Sequence, residues 1–282
     1  MDHQARRADQ YVCFGGKIAA NGKARQITEV YVGIDNTAHS HHVCIYDMGN
    51  KQVSAEPTPC SSGSAIGSGK LLYCWAPGAG PETLPPEAGF PISATEDTNI
   101  LVEMHYSNIQ GQPDSTDNSS ATFCTTEELR PNDADVMAFG TLNFDRPPHQ
   151  KTTLDCTVDI STFPLTTDNF HVVRGWPHMH LLGSALSTTL ENGGNVIADL
   201  GSSDPYSFYN QVGYPMDVTV SKNDSVRTKC TYDNTTNSTV SFGENTESEM
   251  CYNFVTYYPR ITGAFVWPAP AYFANCQSYT AQ

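Results

Sequence analysis

Residues 225–233, SVRTKCTYD, have the alternating and β-branched character of a strand, and the turn-forming Lys222, Asn223 and Asp224 stand directly before them. Outward from this stretch, the same signature recurs at 29–34 (EVYVGI), 42–48 (HVCIYDM), 99–106 (NILVEMHY), 170–176 (FHVVRGW), 217–222 (DVTVSK) and 252–259 (YNFVTYYP). Turn clusters such as NGK at 21–23 and ENGGN at 191–195 separate the segments. No long helical periodicity competes, so the chain is predicted to be all-β, built as two tandem antiparallel β-sandwiches of jelly-roll type. The polar, proline-containing stretch 125–135, TTEELRPNDAD, is the expected linker. It leaves two domains of ordinary size, residues 1–128 and 134–282.

The 282 residues are 39% hydrophobic, enough for two genuine cores. A net charge of −15 argues against a nucleic-acid partner, whose phosphates call for clustered Lys and Arg. Nine cysteines accompany Asn-x-Ser/Thr sequons at Asn118, Asn223, Asn234 and Asn237, which together point to an oxidising secretory environment or secretion. There is no apolar run of the roughly 18 residues that would cross a membrane as a helix. The opening MDHQARRADQ is polar throughout, unlike a signal peptide, so the chain is expected to be a mature or trimmed form.

Metal-ligand residues gather in both halves. His41 and His42 lie in HSHHVCIY and His105 in LVEMHYSN; His178 and His180 lie in WPHMHLLG and Met250 in TESEMCYNF. A three-His set beside a two-His-plus-Met set suits a protein in which one copper ferries electrons and another handles oxygen, because imidazole holds both copper oxidation states and a thioether favours Cu(I). On a strand, His178 and His180 share a face while Met179 points away. His41 and His42 are adjacent, so both reach one metal only at a bulge or a strand end, and His39 with His41 forms a competing i, i+2 pair. A strand methionine such as Met250 is ordinarily core filler. His171 reads as structural or as a partner that orients a ligand, and His149 and His3 as bystanders.

The stretch LLYCWAPGAGPETLPPEAGFPI (71–92), then NILVEMHYSN, HMHLLGSALSTTL, DVTVSKNDSVRTKCTYDN and TESEMCYNFVTYYP, in this order, resembles the copper type II, ascorbate-dependent monooxygenases, the family of peptidylglycine α-hydroxylating monooxygenase and dopamine β-monooxygenase. The likeness is closer to the dopamine β-monooxygenase side. It implies two coppers: an electron-transfer copper on His41, His42 and His105, and an oxygen-binding copper on His178, His180 and Met250. Ascorbate would reduce both, and O2 would hydroxylate a C–H bond of a small-molecule substrate. The resemblance also implies bridges Cys13–Cys60, Cys230–Cys251 and Cys156–Cys276. Cys44 and Cys74 match no clear family position, but both lie in predicted core strands and make a fourth bridge plausible. Cys124 is then left over, where the family ties this region to an N-terminal extension. Trp176 stands where the peptide-amidating enzyme has an arginine for a substrate carboxylate, which an indole cannot pair. With Tyr252, Asn253 and Phe254 it makes the candidate substrate set, although those three do not define a phenylethylamine pocket. The competing readings are a secreted copper-binding sandwich without oxygen chemistry and a metal-free recognition module.

Overall fold

The computed structural model describes residues 9–61, 63, 65, 68–108, 111, 113, 115–261 and 268–280; His3 lies outside them. The regular secondary structure is nearly all strand and the chain divides into two compact units, as the strand and turn signals predict.

The first unit comprises residues 1–83 and 91–129. Its strands are β1 (Asp9–Ile18), β2 (Arg25–Gly33), β3 (Ser40–Asp47), β4 (Thr58–Pro59), β5 (Lys70–Trp75), β6 (Glu82–Thr83), part of β7 (Ala88–Ile92), β8 (Thr98–Ser107) and β9 (Ser120–Thr126). One sheet runs β4-β1-β8-β3-β5 with every pairing antiparallel. β8 lies at its centre, and its residues are buried almost without interruption from Thr98 to His105. That is why NILVEMHY reads as an apolar run more than as a strict alternation. A second sheet is centred on β2, which pairs antiparallel with β6 and β9.

Residues 84–90 leave the first unit and cluster with the second. The Arg130 guanidinium holds them by donating to the carbonyls of Leu84, Pro85 and Ala88 at 3.0, 2.8 and 2.8 Å. The second unit continues from Arg130 with β10 (Asn132–Asp133), β11 (Asp135–Thr141), β12 (Asp145–Arg146), β13 (Gln150–Asp159), β14 (Asn169–His178), β15 (Gly183–Asn192), β16 (Asn195–Ser203), β17 (Tyr214–Ser221), β18 (Ser225–Asn234), β19 (Val240–Ser241), β20 (Cys251–Tyr258), the short helix α1 (Ala269–Phe273) and β21 (Asn275–Thr280). A four-stranded sheet, β11-β20-β14-β17, faces a five-stranded one, β16-β15-β18-β13-β21. The strand that opened the sequence reading shows its period plainly: Val226, Thr228, Cys230, Tyr232 and Asn234 are buried on β18, and the residues between them are not. Val226 joins Phe139, Phe170, Leu190, Leu200, Val255 and Tyr257 in the core between the sheets. At roughly 1.5–3 kcal/mol per fully buried large side chain, such a core is what holds two sheets face to face.

Four disulfides staple the units: Cys13–Cys60 and Cys44–Cys74 in the first, Cys156–Cys276 and Cys230–Cys251 in the second. Cys44–Cys74 and Cys156–Cys276 join residues directly opposite on paired strands, whereas Cys230–Cys251 links β18 of one sheet to β20 of the other. Cys124 is free and exposed on β9. Of the sequons, Asn118, Asn223 and Asn237 are exposed, but Asn234 is fully buried. Its amide donates to the carbonyls of Arg146, Pro147 and Ser238 and its oxygen accepts from Thr236. Asn234 is therefore a structural side chain in the folded protein, and the exposed three are the sequons a glycan could occupy.

Candidate metal centres

The first cluster is a product of strand register. β8 lies between β1 and β3, and across the three strands Tyr11, His105 and His42 stand opposite one another. The β3–β8 register shifts between Ser40 and His42, so His41 is the extra residue of a bulge. The bulge breaks the alternation that would otherwise send neighbouring side chains to opposite faces. His41, His42 and His105 thus converge, all buried, each offering a ring nitrogen within 4.8 Å of the others. The Nδ1 atoms of His41 and His42 are 3.0 Å apart, and those of His105 and His42 3.3 Å. Nitrogens that each lie about 2.0–2.1 Å from one ion stand roughly 3–4 Å from each other, so the donor set fits a metal. Copper is suited by an all-imidazole set of this kind. The Tyr11 ring stacks on His105 at 4.2 Å and 6°. His39 stays outside the cluster, its Nδ1 bonded to Asn36 Oδ1 at 3.0 Å.

The second cluster is assembled from three chain segments. His178 is the last residue of β14, and His180 lies beyond the strand end, their rings 5.2 Å apart at 86°. Met179 between them is fully buried in the core on the other side, with its backbone bonded at both ends to the Tyr206 hydroxyl. The His178 Nδ1 meets Gln211 Oε1 at 2.7 Å, and Gln211 Nε2 donates to the Phe208 carbonyl at 3.0 Å. Since the Gln211 amide nitrogen is committed to a carbonyl, its oxygen faces His178 and accepts from Nδ1–H. The His180 Nδ1 meets the Ser248 carbonyl at 3.0 Å, which can only accept. Both imidazoles therefore carry their proton on Nδ1, which makes Nε2 the nitrogen that could take a metal, the tautomer a neighbouring acceptor fixes in metal-binding histidines.

Met250 immediately precedes β20 and is buried. Its N–H donates to Glu249 Oε2 at 3.1 Å, its carbonyl accepts from the Tyr232 hydroxyl at 2.8 Å, and the next residue is bridged to Cys230. Close approach of β11 to this point requires Gly140: a Cβ there would meet the Cys251 carbonyl oxygen at 1.8 Å. Glu249 is fully buried and accepts from the N–H groups of His180 at 2.9 Å and Leu182 at 2.6 Å as well. Burial pushes its carboxyl up to about 7, against the pull of the backbone donors His180, Leu182, Met250 and Gly183. Glu249 thus joins the backbone at Met250 to the backbone at His180, and a thioether together with two imidazoles would be a donor set suited to Cu(I).

Beside this cluster lies an aromatic wall. Trp176 pairs across the ladder with Phe254 and His178 with Tyr252, so all four share a face. Their rings follow one another, Trp176 to Phe254 at 6.5 Å, Phe254 to His178 at 6.0 Å and Tyr252 to Phe254 at 5.4 Å. Asn253 belongs to the opposite face, where its Nδ2 donates to the Leu200 carbonyl at 2.8 Å; the period of the strand separates it from the other three. His171 stacks on Tyr258 and bonds Thr219, and His149 bonds Asn237. Sequence reasoning missed Glu249, Gln211, Tyr232 and Tyr11. Each acts through a partner 18 or more positions away, and no local pattern encodes that.

Two family models match the chain: the N-terminal domain of copper type II ascorbate-dependent monooxygenases over residues 3–113 and the C-terminal domain over residues 132–277. The chain is similar to the tyramine beta-hydroxylase of Caenorhabditis briggsae, 32% identical over 204 residues, or 67% of this chain and 34% of that protein. It is also similar to the dopamine beta-hydroxylase of Rattus norvegicus, 32% identical over 255 residues, or 82% of this chain and 40% of that protein. The chain spans well under half the length of these two relatives.

Proposed function

The chain belongs to the copper type II, ascorbate-dependent monooxygenases, and from that premise we propose that it hydroxylates a C–H bond of a small organic molecule with O2, drawing electrons from ascorbate. The observation that carries the reading is the pairing of donor set with domain: the three-His cluster falls in the span matched by the N-terminal model and His178, His180 and Met250 in the span matched by the C-terminal one. His41, His42 and His105 would hold the copper that passes electrons. His178, His180 and Met250 would hold the copper at which O2 reacts. Copper supplies one-electron chemistry that no side chain here can perform. The chain's own part is placement: Gln211 and the Ser248 carbonyl hold both imidazoles in the Nδ1–H tautomer, and Trp176, Phe254 and Tyr252 form a buried aromatic wall beside them. Trp176 at this wall does not suit the carboxylate of a glycine-extended peptide. The disulfides and exposed sequons support a secretory-lumen or secreted location. No helix among the described residues is long and apolar enough to cross a membrane.

Copper titration followed by O2 uptake with ascorbate and an aromatic-amine panel tests the proposal. Two coppers per chain, with O2 consumption matched by hydroxylated product, is the expected result. Two coppers without turnover across the panel and a wider set of apolar small molecules would make this a copper-binding sandwich instead.

A further inference from the structure

We propose that Glu249 is a positioning residue for the His178–His180–Met250 copper: its buried carboxylate ties the segment carrying Met250 to the turn carrying His180, so that two ligands from distant parts of the chain move as one piece. The inference rests on the functional reading above.

His180 follows the end of β14, so no ladder partner takes its N–H. The chain turns there, closed by Gly183 N–H donating to the His180 carbonyl at 3.2 Å. The inside of the turn is a pair of donors, and both point at one side chain: His180 N–H reaches Glu249 Oε2 at 2.9 Å and Leu182 N–H reaches Oε1 at 2.6 Å. Backbone donors arranged about one anion make a concave site for it. From the other side Met250 N–H donates to the same Oε2 at 3.1 Å. The tripeptide 248–250 thus does three things for one metal: the Ser248 carbonyl orients the His180 ring, the Glu249 carboxylate holds the His180 backbone, and Met250 brings the thioether.

An acceptor-only group is required. A carboxylate accepts at both oxygens, and bonds to an ionised acceptor are the stronger kind. A glutamine in its place has one acceptor oxygen and an amide nitrogen that would face backbone donors, so either the Leu182 N–H or the His180 and Met250 N–H groups that share Oε2 lose their acceptor, and the bonds that remain are to a neutral group. Aspartate keeps the chemistry but is one methylene short of spanning both segments. The Cys230–Cys251 bridge and the Tyr232 bond to the Met250 carbonyl still hold Met250 itself, so the expected defect lies in the relation between His180 and Met250.

The experiment compares the unsubstituted chain with Glu249→Gln and Glu249→Asp. In the copper-free protein, hydrogen exchange at the Leu182 amide, or at the His180 amide where the glutamine oxygen faces Leu182 instead, should lose protection in Glu249→Gln while the rest of β14 and β20 keeps theirs. With Cu(I) added, X-ray absorption should show the copper–sulfur scattering of the unsubstituted chain reduced or gone, although Met250 is present. Affinity at this site should fall about 10–100-fold, the usual effect of losing a group that orients a ligand, and copper on the three histidines should be unchanged. Glu249→Asp should lie between. A merely structural Glu249 would lower the melting temperature and leave copper–sulfur scattering and affinity intact in the folded protein; that result overturns the proposal. If Glu249→Gln does not fold, Glu249→Asp decides by the same readings; if neither folds, Glu249 serves the fold alone and the proposal falls. No second copper on the unsubstituted chain overturns the functional reading and this proposal with it. Two coppers on the unsubstituted chain and unchanged affinity in the variants overturn this proposal alone.

Discussion

In the first unit the candidate ligands stand on neighbouring strands of one sheet, and the backbone ladder puts them together: His42 faces His105 across β3 and β8, and the bulge at His41 adds the third. In the second unit the candidate donors come from a strand end, a turn and the entry to another strand, and the bonds that hold those segments are made by Gln211, Glu249 and Tyr232, with the Ser248 carbonyl. The difference has a physical consequence. A site built on register tolerates changes in the residues around it but not a change in strand length, because one residue turns every side chain over. A site strapped by side chains tolerates modest backbone change but depends on single residues that need never touch the metal.

The contrast is broken most severely at the ligands themselves. Met250→Ile keeps apolar bulk and deletes the soft donor, at a stability cost under about 1.5 kcal/mol. Hydroxylation should fall to background with the three-His copper still bound; full turnover with two coppers would remove Met250 from the site.

Deleting Ser40 tests the register. A shortened β3 loses the bulge, regular alternation sends His41 and His42 to opposite faces, and copper stoichiometry should drop from two to one with the second site's copper–sulfur signal intact. Retention of both coppers would mean that the ladder is not what assembles the first site.

Replacing Cys230 and Cys251 together by serine removes a bridge with a sequence separation of 21. Loop-closure entropy sets the expected loss at about 3 kcal/mol, seen as a lower denaturant midpoint. Copper binding should weaken at the His-His-Met site and not at the three-His site, since only the former has a ligand next to the bridge.

The smallest effects compare one supporting residue at each site. Gln211→Leu leaves the half-buried His178 Nδ1–H without its Gln211 acceptor and should weaken the second copper about 10–100-fold, or about 1.4–2.8 kcal/mol. Tyr11→Leu removes only a stacked ring from His105, worth about 0.5–1.5 kcal/mol, and should weaken the first copper less than or about 10-fold. Competition with a Cu(I) chelator measures both. Equal losses would erase the distinction between the two kinds of site.

What the sequence determined by itself was the part written locally. Period-2 alternation as in SVRTKCTYD, turn clusters and the absence of helical periodicity are properties of neighbours in the chain, so the all-β, two-unit architecture was legible. So were the residue types able to hold copper, which the motif order singled out. The tertiary structure alone decided the rest. It supplied the bulge by which adjacent His41 and His42 both meet His105, buried Asn234 among three carbonyls, moved residues 84–90 into the second unit, and brought Gln211 and Glu249 to the histidines they support. The reason is that strand pairing joins residues far apart in sequence, here His42 with His105 and Trp176 with Phe254. A strand's own pattern specifies which face is buried, but the partner opposite each residue, and any buried polar group that must find an acceptor there, exist only once the sheets have formed.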